Sequence, residues 1–263
     1  MRIFVLFKSF FSSAYKFIIK RKIISLFLIL TLILASMILS FYLSLPDVRE
    51  FLKGIPGTTS MIDQRINENL SKNMNLRIRK KWAPFDQIPT FLKRTVIVSE
   101  DIDFYNHKGI DFHELKESVK KNIQTGKKAR GGSTITQQLA KNLYLSTEKS
   151  YYRKIKEFFI AKRLEKHLSK NRILELYLNV IEFGRGIFGV GAASEFFFEK
   201  RVDQLNKIEI IRLISVIPKP LRVTPLSNSE YIKWRANLLI NRLYRSRSIT
   251  EVEFIMLKDH FPE

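Results

Sequence analysis

The chain has 263 residues, with 46 lysines and arginines against 25 aspartates and glutamates, a net charge of +21 and no cysteine. The lack of cysteine excludes a disulfide framework and any metal site built on thiolates. This length allows one sizeable domain with a small appendage. Nucleic acid is the common partner of so basic a chain, but solvated lysine-rich faces explain much of such an excess.

An apolar run follows the basic N-terminal segment 1–22, which carries six bases and no acid. The 23 residues Ile23–Leu45 are uncharged, and as a helix they span roughly 35 Å, enough for a hydrocarbon core of about 30 Å. A buried core helix would have a polar face. A cleaved signal peptide would have a shorter core and a small-residue cleavage site, which "SFYLSLPD" lacks. We therefore expect an uncleaved transmembrane helix over residues 23–45.

The charges on either side of this helix predict its orientation. The bases before it, set against Asp47, Arg49 and Glu50 after it, place the N-terminus in the cytoplasm. The rest of the chain then lies outside the cytoplasm with 40 bases and all 25 acids, a net charge of about +15. A basic domain tethered to a bilayer favours anionic headgroups or an anionic lipid substrate, and this location argues against nucleic acid as a partner.

Helical spacing dominates the remainder of the chain. Residues 46–75 are expected to form a linker and membrane-proximal segment, with a short polar helix after Met61 and a strand over Asn75–Lys80. No strand–helix alternation follows, so we predict a mostly α domain over 76–250 and a C-terminal tail over 251–263. Apolar periodicity predicts helices over 91–99, Phe112–Gln124, Thr136–Leu143, Tyr152–Leu168, Lys170–Ile181, from about Val190, and over 207–217 and 230–246.

The stretch "ARGGSTITQQLAKNLYL", residues 129–145, combines two glycines with hydroxyl and amide side chains ahead of a helical pattern. Gly131 and Gly132 allow a close backbone approach. Uncharged hydrogen-bonding groups followed by a cation suit a polar ligand. A turn with a helix N-cap is the alternative, and the stretch alone leaves both open. The polar candidates are Ser133, Thr134, Gln137, Lys141 and Asn142.

Glu100 is the first candidate carboxylate. It prolongs the apolar stripe of Leu92 and Val96 near the C-terminal end of a predicted helix. Burial beside apolar side chains and the negative end of a helix dipole both disfavour the carboxylate form, which suits a group that accepts a proton. The alternative is a surface glutamate in the polar run "SEDIDFYNHKG", where Asp101 caps the helix and His107 packs.

Glu157 is the second candidate, in "YYRKIKEFFIAKRLEKHL". It lines up with Ala161 and Glu165 on one helix face, and the small Ala161 is expected to leave room for a ligand. The opposite, core-facing side is expected to consist of Ile155, Phe158, Phe159 and Leu164.

A dense set of cations surrounds this helix and the polar stretch. Such a set suits a phosphate-bearing substrate, and the anchor suggests that the phosphate belongs to a lipid. Surface ion pairs are the alternative, worth only tenths of a kcal/mol each. The cations are Lys141, Lys149, Arg153, Lys154 and Lys156.

Five ordered blocks resemble the motifs of the peptidoglycan glycosyltransferases, glycosyltransferase family 51. The resemblance extends from Lys81 to Leu226, and the short chain with its anchor resembles the monofunctional members. Arg212 departs from the pattern, because the family has a small residue there. The blocks are "VSEDIDFYNHKGID", "RGGSTITQQLAKNLYL", "RKIKEFFIAKRLE", "RILELYLNVIEFG" and "GIFGVGAASEFFFEK".

The resemblance implies a lysozyme-like α-helical fold and the polymerisation of lipid II into β-1,4-linked glycan, with inversion and release of undecaprenyl diphosphate. It implies that Glu100 is the general base toward the acceptor 4-hydroxyl and that Glu157 assists the departing diphosphate. It places the polar candidates in a donor cleft: Ser133, Thr134, Gln137, Lys141 and Asn142. It places Arg153, Lys154 and Lys156 at or beside phosphate-facing positions.

The resemblance also implies a setting in the bacterial inner membrane, with the catalytic domain on the periplasmic side. The implied partners are lipid II, the growing lipid-linked glycan, the membrane and proteins of cell division or elongation, without nucleic acid. No cofactor is required, although Mg²⁺ or Mn²⁺ at the diphosphate suits carboxylates and phosphates.

Two other functions compete with polymerisation. A lytic hydrolase of related fold would need a carboxylic acid facing a glycosidic oxygen, without the cation cluster or the membrane tether. A membrane-anchored scaffold would need neither carboxylate. A transpeptidase domain is set aside, because "SVKK" and "STEK" match its short SxxK pattern but no KTG follows.

Overall fold

The computed structural model describes residues 2–72, 76–125, 132–148 and 150–262. Asn75, Gly131 and Lys149, which the sequence analysis singled out, lie outside these ranges. The chain divides into two units, one up to Pro46 and one from Asp47 onward.

The first unit is a single helix, α1, over Arg2–Leu43. Within it, the 23 residues Arg21–Leu43 form a segment long and apolar enough to cross a membrane. The helix extends back through the basic N-terminal segment, so the predicted apolar run is its second half. In a helix every backbone group within the apolar segment is paired internally, which hydrocarbon requires.

The second unit is mostly helical, which confirms the predicted class. Several helices begin at a Ser, Thr or Asn whose side chain accepts a hydrogen bond from a first-turn amide, as at Thr134, Ser150 and Asn206. The helices are α2 Ser60–Leu70, α3 Thr90–Glu100, α4 Phe112–Thr125, α5 Ile135–Tyr144, α6 Tyr151–His167, α7 Lys170–Val180, α8 Val190–Phe198, α9 Lys207–Ser215, α10 Glu230–Arg245 and α11 Glu251–His260.

Helix α11 occupies most of the segment 251–263 that the sequence analysis describes as a tail. It packs against α10 and buries Leu257 completely. Asn237 Nδ2 on α10 donates to the carbonyl oxygen of Phe261 at 2.8 Å. The end of the chain is therefore joined to the helical domain by apolar contact and by a buried hydrogen bond.

A small sheet joins distant parts of the domain. It consists of β1 Arg79–Lys80, β2 Glu182–Gly184 and β3 Ile187–Phe188, in the order β1-β3-β2. Strand β1 pairs parallel with β3, and β2 pairs antiparallel with β3. Strand β1 lies within the predicted segment 75–80 but is shorter, and the sequence analysis missed β2 and β3.

Two groups of helices bring the candidate residues together. Helix α5 packs against α6 and α7, while α3 packs against α9 and α10. Their contacts bury apolar side chains completely, among them Leu92 of α3, Leu139 of α5 and Ile173 of α7. The C-terminal end of α3 and the polar N-terminal end of α5 are thereby held by a packed core.

The inward face of α6 differs from the expected one. Ile155 and Phe159 are 49% and 42% exposed, whereas Glu157 is only 2% exposed. The buried apolar residues are Ile160, Ala161 and Leu164, with Glu157 on the same side. The expected core face over Ile155 and Phe159 is therefore wrong. The ion pairs of Glu157 allow this carboxylate to be buried, so the helix turns the side that carries Glu157 toward the core.

Ala161 also has a different role from the expected one. It is fully buried, and the backbone of Gly109 packs against it, since a Cβ at Gly109 would lie 3.3 Å from the Ala161 carbonyl oxygen. The expectation that Ala161 leaves room for a ligand is therefore wrong: the space is filled by the chain itself.

The turn before α8 supplies a test of the fold. Gly189 has φ +81°, and a Cβ there would lie 2.5 Å from the Asn179 carbonyl oxygen. We expect Gly189→Ala to lower the free energy of unfolding by about 2–4 kcal/mol through backbone strain and this clash. Gly57→Ala is the matched control, because nothing lies within 4 Å of the added Cβ. Equal thermal midpoints for the two variants would contradict this account.

Candidate active site

The carboxylate of Glu100 lies at the C-terminal end of α3 and lines a pocket of about 60 Å³ together with Ser133 and Thr134. Its surroundings are polar, not apolar as expected. Ser99 Oγ donates to Oε1 at 2.6 Å, and Gln138 Nε2 donates to Oε2 at 3.2 Å. Both oxygens thus accept hydrogen bonds, which is the arrangement of an acceptor-only carboxylate.

Gln138 is itself oriented by Tyr177. The Tyr177 hydroxyl donates to Gln138 Oε1 at 3.1 Å, so the amide group turns its NH₂ toward Glu100. Tyr177 is completely buried. Burial, with the negative charges of Glu100 and Asp101, raises the pKa of Tyr177 well above its usual value. The phenol therefore stays protonated and keeps donating at any physiological pH.

Arg235 on α10 is a neighbour of Glu100 that the sequence analysis missed. Its Nη2 lies 3.3 Å from Glu100 Oε1 and 3.0 Å from Ser99 Oγ. Its Nε is buried without a hydrogen-bond partner among the described residues. The only sequence signal was an arginine on the apolar side of a predicted helix, since Ile232, Ala236 and Leu239 are buried beside it.

Asp101 fixes the position of Glu100 relative to α5. Its Oδ2 accepts from the Ile135 backbone amide at 2.9 Å, and His107 Nε2 lies 2.9 Å from Oδ1. The Gly109 amide donates to His107 Nδ1 at 3.1 Å, so Nε2 carries the ring proton and donates to Asp101. A buried carboxylate thus connects the end of α3, the loop after it and the start of α5.

Thr134 and Gln137 form a reciprocal cap at the start of α5. Thr134 Oγ1 accepts from the Gln137 amide at 3.1 Å, and Gln137 Oε1 accepts from the Thr134 amide at 3.1 Å. Thr134 Oγ1 also donates to the Gly109 carbonyl at 2.7 Å. For these two residues the turn-and-cap alternative describes the local structure. Asn142, farther along α5, is buried.

Glu157 is held between two cations of its own helix. Arg153 Nη1 lies 2.8 Å from Oε2, and Lys154 Nζ pairs with Oε1. Lys154 Nζ also donates to Ser133 Oγ at 2.8 Å. Because Ser133 lines the pocket of Glu100, its hydrogen bond with Lys154 places this cation at the edge of that pocket.

Both candidate carboxylates affect the pKa of Lys141. Burial lowers its pKa below the usual value, neighbouring Arg153 and Lys154 act in the same direction, and Glu157 and Glu100 oppose them. In the described part of the chain its ammonium has no hydrogen-bond or ion-pair partner. Lys141 is half-buried, and an ammonium that pairs with no carboxylate can pair with a bound anion.

Lys156 is separated from this group. Its Nζ lies over the Tyr152 ring, 5.1 Å from the centroid, and one residue of a helix turns the side chain away from that of Glu157. The other predicted residues of α6 are Arg153, Lys154 and Glu157, and the structure places them near Ser133 and Lys141.

The site supplies one carboxylate with donors, one carboxylate between cations, and one ammonium without a partner. A carboxylate near a cluster of cations suits a reaction in which an anionic group departs. Within the described ranges no cluster of three acidic or histidine residues could hold a metal ion. Both oxygens of Glu157 already pair with cations, so these donors do not fit a metal held by the protein itself.

Comparison with known proteins identifies the family of this site. A family model described as Transglycosylase matches residues 67–244. The chain therefore belongs to the transglycosylase family, which confirms the resemblance seen in the sequence, and it is a glycosyl-transferring enzyme.

The chain is also similar to three bacterial proteins, each named biosynthetic peptidoglycan transglycosylase. The protein of Herminiimonas arsenicoxydans is 38% identical over 216 residues, which cover 82% of this chain and 93% of that protein. The protein of a Janthinobacterium species is 40% identical over 188 residues, 72% of this chain and 81% of the relative. The protein of Aromatoleum aromaticum is 44% identical over 167 residues, 64% and 73% respectively.

The hydroxyl of Tyr177 provides a test of how Glu100 is held. We expect Tyr177→Phe to lower kcat of glycosyl transfer about two- to tenfold, because Gln138 loses the hydrogen bond that fixes its amide. Tyr105→Phe is the matched control, since that exposed hydroxyl donates to Asn171 Oδ1 at 3.0 Å. Initial rates and thermal midpoints of both variants should be measured. Equal rates for the two variants would show that the orientation of Gln138 by Tyr177 does not affect the reaction.

Lys141 should reduce stability in the absence of an anionic ligand. Its folded-state pKa is lowered from 10.5, so the penalty of burying the ammonium is fully present at neutral pH and disappears as pH rises through both values. We expect Lys141→Met to raise the thermal midpoint at pH 7 and to abolish transfer activity. Lys156→Met should change neither, because Lys156 lies over Tyr152. A lower midpoint for Lys141→Met would contradict the pKa argument.

Proposed function

We propose that this chain polymerises lipid II into β-1,4-linked glycan strands, releasing undecaprenyl diphosphate with inversion at the anomeric carbon. The supporting observation is a carboxylate, Glu100, that accepts hydrogen bonds on both oxygens and lies near a cluster of cations, Lys141, Arg153 and Lys154. The names of the three relatives support the same substrate class.

Glu100 acts as the general base. Its carboxylate takes the proton of the acceptor GlcNAc 4-hydroxyl as that oxygen attacks C1 of the donor sugar. Ser99 and Gln138 each donate to one of its oxygens, which leaves lone pairs directed into the pocket shared with Ser133 and Thr134. The attack forms the C1–O4 bond on the face opposite to the departing group, so an α-linked donor yields a β-linked product.

The cations take up the charge of the leaving group. As the C1–oxygen bond breaks, the electron pair goes to the lipid diphosphate, and fixed positive charges stabilise it without reorganisation. Lys141 is the free cation of the described site, while Glu157 holds Arg153 and Lys154 in place. Glu157 therefore assists departure through these cations.

The arrangement of Glu100 favours a polymerase over a lytic hydrolase. A hydrolase needs a carboxylic acid that donates a proton to the glycosidic oxygen. Each oxygen of Glu100 instead accepts a hydrogen bond, and Arg235 adds a positive charge 3.3 Å away. This environment suits a group that receives a proton.

We further propose that α1 anchors the enzyme in the bacterial inner membrane, with the N-terminus in the cytoplasm and the catalytic domain in the periplasm. The apolar segment Arg21–Leu43 supplies the length, and the bases before it favour this orientation. A lipid-linked substrate would then reach the domain by diffusing in the same bilayer.

The base assignment is tested with labelled lipid II and detergent-purified full-length protein. We expect Glu100→Gln to lose polymer formation by at least a hundredfold while the protein stays folded at the assay temperature, because the amide cannot accept the proton. Glu195→Gln is the control, since Glu195 pairs with Lys81 on the surface. Polymer of normal amount from Glu100→Gln would show that another group is the base.

A further inference from the structure

Two neighbouring aromatic side chains lie at the start of α10, outside the site described above. Trp234 is 60% exposed, and Tyr231 is half-buried beside it, with ring centroids 5.9 Å apart and planes tilted by 46°. Large exposed aromatic surfaces mark interaction sites more often than isolated aliphatic residues do. We call this pair the α10 aromatic platform.

The platform is adjacent to Glu100. Arg235 reaches Glu100 Oε1 at 3.3 Å, and Tyr231 precedes Arg235 by four residues, one turn and about 6 Å along the same helix face. The electrostatics agree, because burial raises the pKa of Tyr231, with Glu100 adding to the rise and Arg235 opposing it. Arg235 therefore connects Glu100 to the helix turn that carries the platform.

The surrounding chain holds the platform in a defined place. Lys219 Nζ lies over the Tyr231 ring, 4.4 Å from its centroid. Arg212 Nη1 donates to the carbonyl oxygens of Pro225 and Ser227 at 3.2 and 3.0 Å, and its Nη2 donates to Asn228 Oδ1 at 2.9 Å. Arg212, the departure from the family pattern, thus fixes the loop that leads into α10.

We propose that the α10 aromatic platform is a saccharide subsite that binds sugar rings of the lipid-linked glycan next to Glu100. The proposal rests on the proposed function, since it needs a sugar substrate at Glu100. A pyranose ring has an apolar C–H face that packs on an aromatic ring, and its hydroxyls remain in water. A partly exposed aromatic pair one residue contact away from Glu100 fits such a ligand better than a protein partner, which would need a larger contiguous apolar surface.

Trp234 provides its own reporter, because the chain has two tryptophans. Trp82→Phe leaves Trp234 as the sole indole, and its fluorescence can be titrated with lipid-free GlcNAc–MurNAc oligosaccharides that lack peptide. We expect a saturable change in the fluorescence of the Trp82→Phe variant. Adding Trp234→Phe to that variant should eliminate the signal. We also expect Trp234→Ala to weaken binding of the same oligosaccharides roughly three- to tenfold, measured by calorimetry.

Polymerisation gives the second readout. In gels of labelled lipid II products, Trp234→Ala should give shorter strands because the growing chain is released earlier, whereas Trp234→Phe should restore much of the length. Lys233→Ala is the control, since that neighbour pairs with the exposed Glu230. The wild-type lane tests the proposed function separately. If wild type forms polymer, either silent Trp234 fluorescence or an unchanged strand length for Trp234→Ala overturns the subsite.

Discussion

The hydrogen bonds of the Asp101 carboxylate hold the site together. This side chain is almost fully buried, and it accepts from the first amide of α5 and from His107. Glu100 precedes it in the chain, so the position of Glu100 is fixed relative to the helix that carries Gln138 and Lys141. An Asp101 side chain without these donors would be a buried, unpaired charge, which is strongly destabilising.

A second constraint is the distribution of charge in the cleft. Glu157 is buried between Arg153 and Lys154, and Lys154 reaches across to Ser133 on the polar loop. Lys141 has no such compensation within the described residues, and burial lowers its pKa. Lys141 is thus a half-buried positive charge that pairs directly with no described carboxylate. Charges fixed in advance of the reaction are typical of active sites.

The sequence predicted the local structure of the site well. The helices that carry Glu100, Lys141 and Glu157 begin and end within a residue or two of the predicted positions, because apolar spacing and caps are local signals. The orientation of α6 could not be predicted, since Ile155 and Phe159 are as apolar as Ile160 and Leu164. Only ion pairing explains why Glu157 turns inward.

The residues that contact Glu100 could not be predicted from the sequence either. Arg235 is 135 residues away, and Tyr177 is 39 residues from Gln138. Such contacts depend on how α3, α7 and α10 pack, which no local pattern encodes. Likewise, Ala161 looked like space for a ligand, but it is completely buried.

We propose that a carboxylate held by donors near a cluster of cations serves transfer from a lipid diphosphate rather than hydrolysis of finished glycan. The most direct test offers wild-type, full-length protein two substrates in parallel: labelled lipid II, and insoluble peptidoglycan. The account predicts a long polymer from lipid II that lysozyme digests, and no soluble fragments from peptidoglycan. Soluble muropeptides from peptidoglycan, with no polymer from lipid II, would contradict it.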